Sequence, residues 1–159
     1  MEILKKDVEL NEVLSCYERE NQGSASFEYA KGLLAHADRD AGGGWTLVLF
    51  SRAEILDIML PDHRHPRENQ NVLIPKPGMT VSTAAARVKD ITQEKGLCWE
   101  NIHSHKDRDF SQVHIFLQYQ NGVFMNLDGL HRLLAWAVFE KREEIGAYVA
   151  GFPNDRNKK

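Results

Sequence analysis

The chain has 159 residues, of which 42% are hydrophobic and 27% charged, an ordinary globular composition that excludes a disordered polyelectrolyte and a fibrous repeat. A domain of roughly 150 residues buries about 70% of its unfolded surface, so one compact unit can fold without disulfide or metal staples. The formal net charge is −3 with acidic and basic residues interleaved, which gives no general pull toward a polyanion and argues against a nucleic-acid partner.

The opening residues, Met1 to Asp7, lack the apolar core of a signal peptide. No apolar run approaches the roughly 20 residues needed to span a bilayer. Both features point to a cytoplasmic protein with no membrane partner. Cys16 and Cys98 stand far apart and belong to no C-x-x-C pair, so they read as buried or partly buried thiols, not as a zinc knuckle or disulfide framework. The sequence carries no marker of oligomeric state.

In chain order, Val8, Leu10, Val13, Leu14 and Tyr17 recur at helical spacing, and Asn11 with Glu12 opens a short amphipathic helix before the polar stretch Glu18 to Ser26. A second stripe, Phe27, Ala30, Leu33, Leu34 and Ala37, ends at Gly42-Gly43-Gly44, which stops a helix. Trp45 to Phe50 is apolar and β-favouring and reads as a buried strand. Ser51 and Glu54 form a capping box for a helix running through Ile55, Ile58, Met59 and Leu60.

Pro61 to Asn71 is a polar loop holding His63, Arg64, His65 and Arg67. Val72-Leu73-Ile74 reads as a short strand and Pro75-Lys76-Pro77-Gly78 as a rigid turn. A helix opened by Thr80 or Ser82 follows, turning Ala84, Ala85, Val88 and Ile91 inward. Thr92 to Ser111 shows no clear period and reads as a long loop of the kind that serves as a lid.

The last third is the most legible. Val113 to Tyr119 and Val123 to Leu127 are strands joined through Gln120-Asn121-Gly122, because Asn-Gly favours a tight primed turn. Leu130, Leu133, Leu134, Trp136, Ala137 and Val138 make a strongly apolar helix with Lys141 and Arg142 near its end, and Ile145 to Gly151 is a final strand. These elements describe an α/β (α+β) domain, a small mixed sheet flanked by helices. Its N-terminal part, about 1–44, is expected to be helical and its core to span about 45–152.

Asn126-Leu127-Asp128-Gly129-Leu130-His131-Arg132 lies between a strand and a helix. A helix that starts directly after a strand leaves backbone N–H groups without partners at the positive end of its dipole, which is a seat for an anion. Gly129 lets a phosphate approach the main chain, His131 and Arg132 add donors, and Arg132 can grip two phosphate oxygens at once. Basic residues in a first turn oppose the macrodipole, and an anion set against them relieves that cost. Asp128 is expected to cap the helix or to hold a metal ion beside the phosphate.

The stretch from Val123 to Trp136, followed by Ile145 to Val149, resembles the strand-D-G-x-H-R-helix-strand core of the ParB/sulfiredoxin superfamily, which includes partition nucleases and CTPases, sulfiredoxin and free-serine kinases. The resemblance covers about the last 30 residues. It implies a ParB/sulfiredoxin-like fold, with Gly129, Leu130, His131 and Arg132 holding nucleotide phosphates. Sulfiredoxin carries its reactive cysteine at the x of G-x-H-R, where this chain has Leu130, so sulfinic acid reduction is not expected. ParB proteins add a helix-turn-helix domain after this core, whereas here Phe152 to Lys159 follow. The remaining activity implied by the resemblance is that of the kinases: phosphoryl transfer from ATP or another nucleotide, with Mg²⁺, to a small hydroxylated, amino-acid-like metabolite.

Such a transfer needs a cradle, a metal ion and a base near the acceptor hydroxyl. His131 and Asp128 are the candidate catalytic groups in the turn. Asp62 is the candidate base, with Glu54 and Glu68 competing, and Lys76 a further phosphate contact. Two other readings stand beside the kinase. One is a non-catalytic module that uses the anion seat to bind a ligand or partner. The other is a metal-dependent enzyme built on the pairs His63/His65 and His103/His105, with His114 as a third imidazole.

Overall fold

The computed structural model describes residues 1–24, 27–63, 74, 78–90 and 97–153. Its elements run β1 (Glu2–Val8), α1 (Leu10–Glu20), α2 (Phe27–Asp40), β2 (Trp45–Phe50), α3 (Arg52–Leu56), β3 (Met59–Leu60), β4 (Met79–Thr80), α4 (Val81–Asp90), α5 (Leu97–Ser104), β5 (His114–Gln120), β6 (Val123–Asp128), α6 (Leu130–Val138) and β7 (Ile145–Ala150). A single 3-10 turn at Phe110–Gln112 precedes β5.

The strands form one seven-stranded mixed sheet in the order β1-β2-β7-β5-β6-β3-β4. At its centre is the β5–β6 hairpin. Asn121 and Gly122 both take positive φ, +53° and +83°, as a primed two-residue turn requires. β7 joins β5 in parallel after the α6 crossover, β2 pairs antiparallel with β7, and β3 lies parallel to β6.

Side-chain alternation along these strands divides the core in two. Val48, Phe50, Ile115, Leu117, Ala147 and Val149 point to the face covered by α3 to α6. Trp45, Phe116, Tyr148 and Ala150 point to the other face, where Val13, Cys16 and Tyr17 of α1 and Ala30, Leu34 and Ala37 of α2 cover them. Because successive residues of a strand face opposite ways, one near-continuous apolar run such as Trp45–Phe50 serves both layers, and the result is a single three-layer α/β domain. Trp45 also donates from Nε1 to Asp38 at 2.9 Å, tying α2 to the start of β2.

Several expected boundaries change. The part about 1–44 holds α1 and α2, but it begins with β1, paired antiparallel to β2. The helix capped by Ser51 stops at Leu56, and Met59 and Leu60 form β3 instead of a further turn. Ile58 and Leu60 are fully buried; their i, i+2 spacing suits a strand as well as the helical stripe assigned to them. The supposed loop from Thr92 to Ser111 contains α5, which packs on α6. The strand expected at Val72–Ile74 and the turn at Pro75–Pro77 lie outside the described residues, apart from Ile74, which bridges His63.

Candidate functional site

One edge of the sheet collects the polar residues. His114 opens β5 opposite Gly146, Gly146 lies opposite Leu49 near the end of β2, and Phe116 of β5 lies opposite Asp128 at the end of β6. Since β3 runs parallel to β6, the chain that carries Asp62 and His63 leaves the sheet at this same edge. The C-terminus of α1 and the N-terminus of α6 meet there.

The turn into α6 is built around a glycine. Gly129 has φ +94° and is the N-cap residue; a Cβ there would lie 3.2 Å from Arg132 Nη2 and 3.3 Å from Ile115 Cγ2. Only glycine combines that backbone angle with room for the guanidinium beneath it. Asp128 therefore does not cap the helix as expected: its Oδ2 accepts from Arg132 Nη2 at 3.1 Å. Asn126 holds the turn by donating from Nδ2 to the Asp128 carbonyl at 2.8 Å. Among the described residues, the first α6 N–H with a backbone acceptor is that of Leu133, on Gly129 O at 2.9 Å, so the N–H groups ahead of it form the open end of the helix.

Arg132 is 5% exposed. Its Nη2 is engaged by Asp128, while Nη1 is buried without a hydrogen bond among the described residues and stands 4.0 Å from Glu20 Oε1. Glu20, the last residue of α1, accepts three hydrogen bonds: from the His114 N–H at 2.7 Å, from the His114 ring at Nδ1 at 3.0 Å, and from Cys16 Sγ at 2.8 Å. Burial opposes ionisation of Glu20, but the bonds from His114 and Cys16 outweigh it and hold the carboxyl below its ordinary range. The same neighbours, Cys16 first and Glu20 second, push His114 up to about 9. Its ring lies over Gly146, where a Cβ would come within 3.0 Å of Cδ2.

Two further basic residues enter from the turn after α5. Arg108 Nη1 lies 3.2 Å from His105 Nδ1. Burial first, then the charge of Arg132, lowers Arg108, while Glu20 pulls it back. Burial, Arg108 and Arg132 together push His105 down to about 4, so it is neutral at pH 7. Burial raises Asp128 and Arg132 opposes that rise. The centre thus places three cationic groups, Arg108, Arg132 and His114, against two carboxylates, Glu20 and Asp128. An excess cation in a half-buried site favours an incoming anion.

A second cluster lies on the other side of the same turn. His131 follows Leu130 and sits about 100° around the helix from Arg132. Its ring meets that of His63 edge-on, with centroids 5.0 Å apart. His63 Nε2 stands 3.3 Å from Cys98 Sγ near the start of α5.

The expected site residues accordingly part company. Gly129 and Arg132 sit together with Asp128, whereas His131 turns to His63 and Cys98. Leu130 is buried in the core between α6 and the sheet. Asp62 is exposed at the same sheet edge. Glu54 is committed to α3, accepting from Ser51 N–H and Oγ at 2.9 Å each. Lys76, Glu68 and His65 lie outside the described residues. The pair His103/His105 does not act together: His103 packs against Trp99 and Phe139, and His105 joins Arg108. No local sequence motif marks Glu20, Cys16 or Arg108 for site chemistry; the fold alone brings them to the turn.

Fold and site together define a mixed α/β domain with a charged, half-buried centre at the strand ends, where a strand passes into a helix through Asp-Gly. The sequence matches DUF6309, a family of unknown function, over residues 1–159, and the chain belongs to that family. Comparison with curated proteins and with solved structures gives no match. Among the described residues, no helix is long and apolar enough to cross a membrane.

Proposed function

We propose that the protein binds the phosphate of a nucleotide at the head of α6, between Arg132 and Arg108, and transfers a phosphoryl group to a small hydroxylated metabolite. The observation that carries this reading is the buried Arg132, whose Nη1 lacks a hydrogen-bond partner among the described residues at the open N-terminus of a helix. A phosphate oxygen supplies the missing acceptor and offsets the surplus positive charge. The ParB/sulfiredoxin resemblance of the Asp128–Arg132 turn supports the same assignment and favours ATP with Mg²⁺. Asp128 is the carboxylate nearest the turn, and a Mg²⁺ ion there competes with its bond to Arg132. Asp62 is on the right edge of the sheet to accept the proton of an acceptor hydroxyl. A cytoplasmic location accords with two buried cysteines that form no disulfide.

The test is thermal unfolding with ATP, ADP, CTP and pyrophosphate, each with and without Mg²⁺, on the wild type and on Arg108→Ala. Arg108 is half-buried and forms no ion pair among the described residues, so its removal leaves the Arg132–Asp128 bond in place. Ligand at about 100 times its Kd adds roughly 2.7 kcal/mol, which moves the midpoint of a domain this size by roughly 5–10 °C. A shift in the wild type that shrinks in Arg108→Ala supports the reading and directs a screen of hydroxylated metabolites for turnover. A shift without turnover by any acceptor leaves a ligand-binding module, and no shift with any of the four removes the phosphate site.

A further inference from the structure

We propose that His63, Cys98 and His131 form a binding site for a divalent transition-metal ion of the zinc class. One donor atom from each residue lies within 4.8 Å of the others, and the closest pair, His63 Nε2 and Cys98 Sγ, is 3.3 Å apart. Zinc bonds of about 2.3 Å to sulfur and 2.0–2.1 Å to imidazole nitrogen place two tetrahedral ligands roughly 3.5 Å from each other. The observed spacing therefore needs only a small adjustment to close on an ion.

The donors come from three anchored places. His63 is held by a backbone bridge to Ile74, with its N–H on Ile74 O at 3.0 Å and the reverse bond at 3.3 Å. Cys98 lies in the first turn of α5 and is 3% exposed. His131 lies in the first turn of α6, against which α5 packs. Two imidazoles and a thiolate form a soft donor set that suits zinc and similar ions and discriminates against Mg²⁺ and Ca²⁺, which take oxygen ligands. The thiol proton, and the second proton of any imidazolium, leave as the ion binds, so occupancy falls in acid. The inference stands apart from the phosphate reading, because neither His63 nor Cys98 belongs to the Arg132 centre.

The test uses the purified full chain. Metal analysis after purification in chelator-free buffer is expected to find close to one zinc ion per chain. Metal-free protein titrated with Co²⁺ is expected to develop a thiolate-to-cobalt charge-transfer band in the near ultraviolet together with tetrahedral visible bands. Cys98→Ser removes the charge-transfer band, His63→Ala weakens zinc binding tenfold or more, and Arg108→Ala leaves both unchanged. Circular dichroism confirms that each variant is folded, and His63→Ala, at a half-buried position, serves where Cys98→Ser does not fold. Folded wild type that takes up neither zinc nor cobalt overturns the proposal. So does a cobalt spectrum without a thiolate band, or a zinc affinity equal in wild type and His63→Ala. Loss of nucleotide binding with the metal site intact sinks the phosphate reading alone.

Discussion

The two centres on either side of the Gly129–Arg132 turn are built from different chemistry. Around Arg132 the groups are charged and already joined in a network, with Glu20 accepting from His114 and Cys16 and Asp128 accepting from Arg132. Around His131 the groups are soft donors, two imidazoles and a thiol, gathered within 4.8 Å. Neighbouring residues on a helix point about 100° apart, so one H-R dipeptide at the head of α6 feeds both. The lesson is that a short motif can place two residues in separate sites, and that their adjacency in sequence says little about a shared role.

The largest effect expected is from Arg132→Ala. It strands Asp128, which is half-buried and hydrogen-bonded to Arg132, and breaking such a pair by removing its buried partner costs up to about 3–5 kcal/mol. Chemical denaturation of wild type and variant measures this. A loss below 1 kcal/mol would mean that the charged centre is solvated and loosely held, and the contrast between the two centres would fade. Arg132→Lys keeps the charge but loses the forked geometry, and is expected to fall between the two.

Next in size is a pH effect confined to the charged centre. His114 is raised to about 9 by Cys16 and Glu20, against about 6.5 in an unfolded chain. A raised imidazole stabilises the fold fully below pH 6.5, and its contribution fades as pH climbs through 9. The stability gap between wild type and His114→Gln is therefore expected to narrow by up to about 3 kcal/mol from pH 6.5 to beyond 9. Parallel pH profiles for the two proteins would show that the imidazole is not held in its charged form.

A smaller loss is expected from Gly129→Ala. Its φ of +94° and the 3.2 Å approach to Arg132 make the substitution cost about 1–3 kcal/mol. Because the added methyl group meets the guanidinium, it is also expected to weaken nucleotide binding while leaving cobalt binding at His63 and Cys98 in place. Equal damage to both ligands would show that the turn moves as one piece.

Legibility followed range. The β5–β6 hairpin, α6 and β7 were readable because alternation, an Asn-Gly turn and an apolar helical stripe are local signals. β1 was not, since six of its seven residues are exposed and its charged residues carry no apolar alternation. β3 and β4, two residues each, are too short to show a period, and α5 buries Cys98 and Ile102 in only eight residues. The same limit applied to the site. Asp128, Gly129 and Arg132 lie within one turn and announced themselves, but Glu20 meets His114 across 94 positions, a pairing that only the fold creates. His63, Cys98 and His131 come together in the same way, from three separate parts of the chain.

The most direct measurement is calorimetric titration of Mg²⁺–ATP, with pyrophosphate as the minimal ligand, into wild type, Arg108→Ala and Cys98→Ser. Saturable binding to wild type is expected, with a loss of about 1.5–3 kcal/mol in Arg108→Ala from the missing charge-assisted contact and little change in Cys98→Ser. Absence of binding to the folded wild type, or equal affinity in wild type and Arg108→Ala, would contradict that expectation.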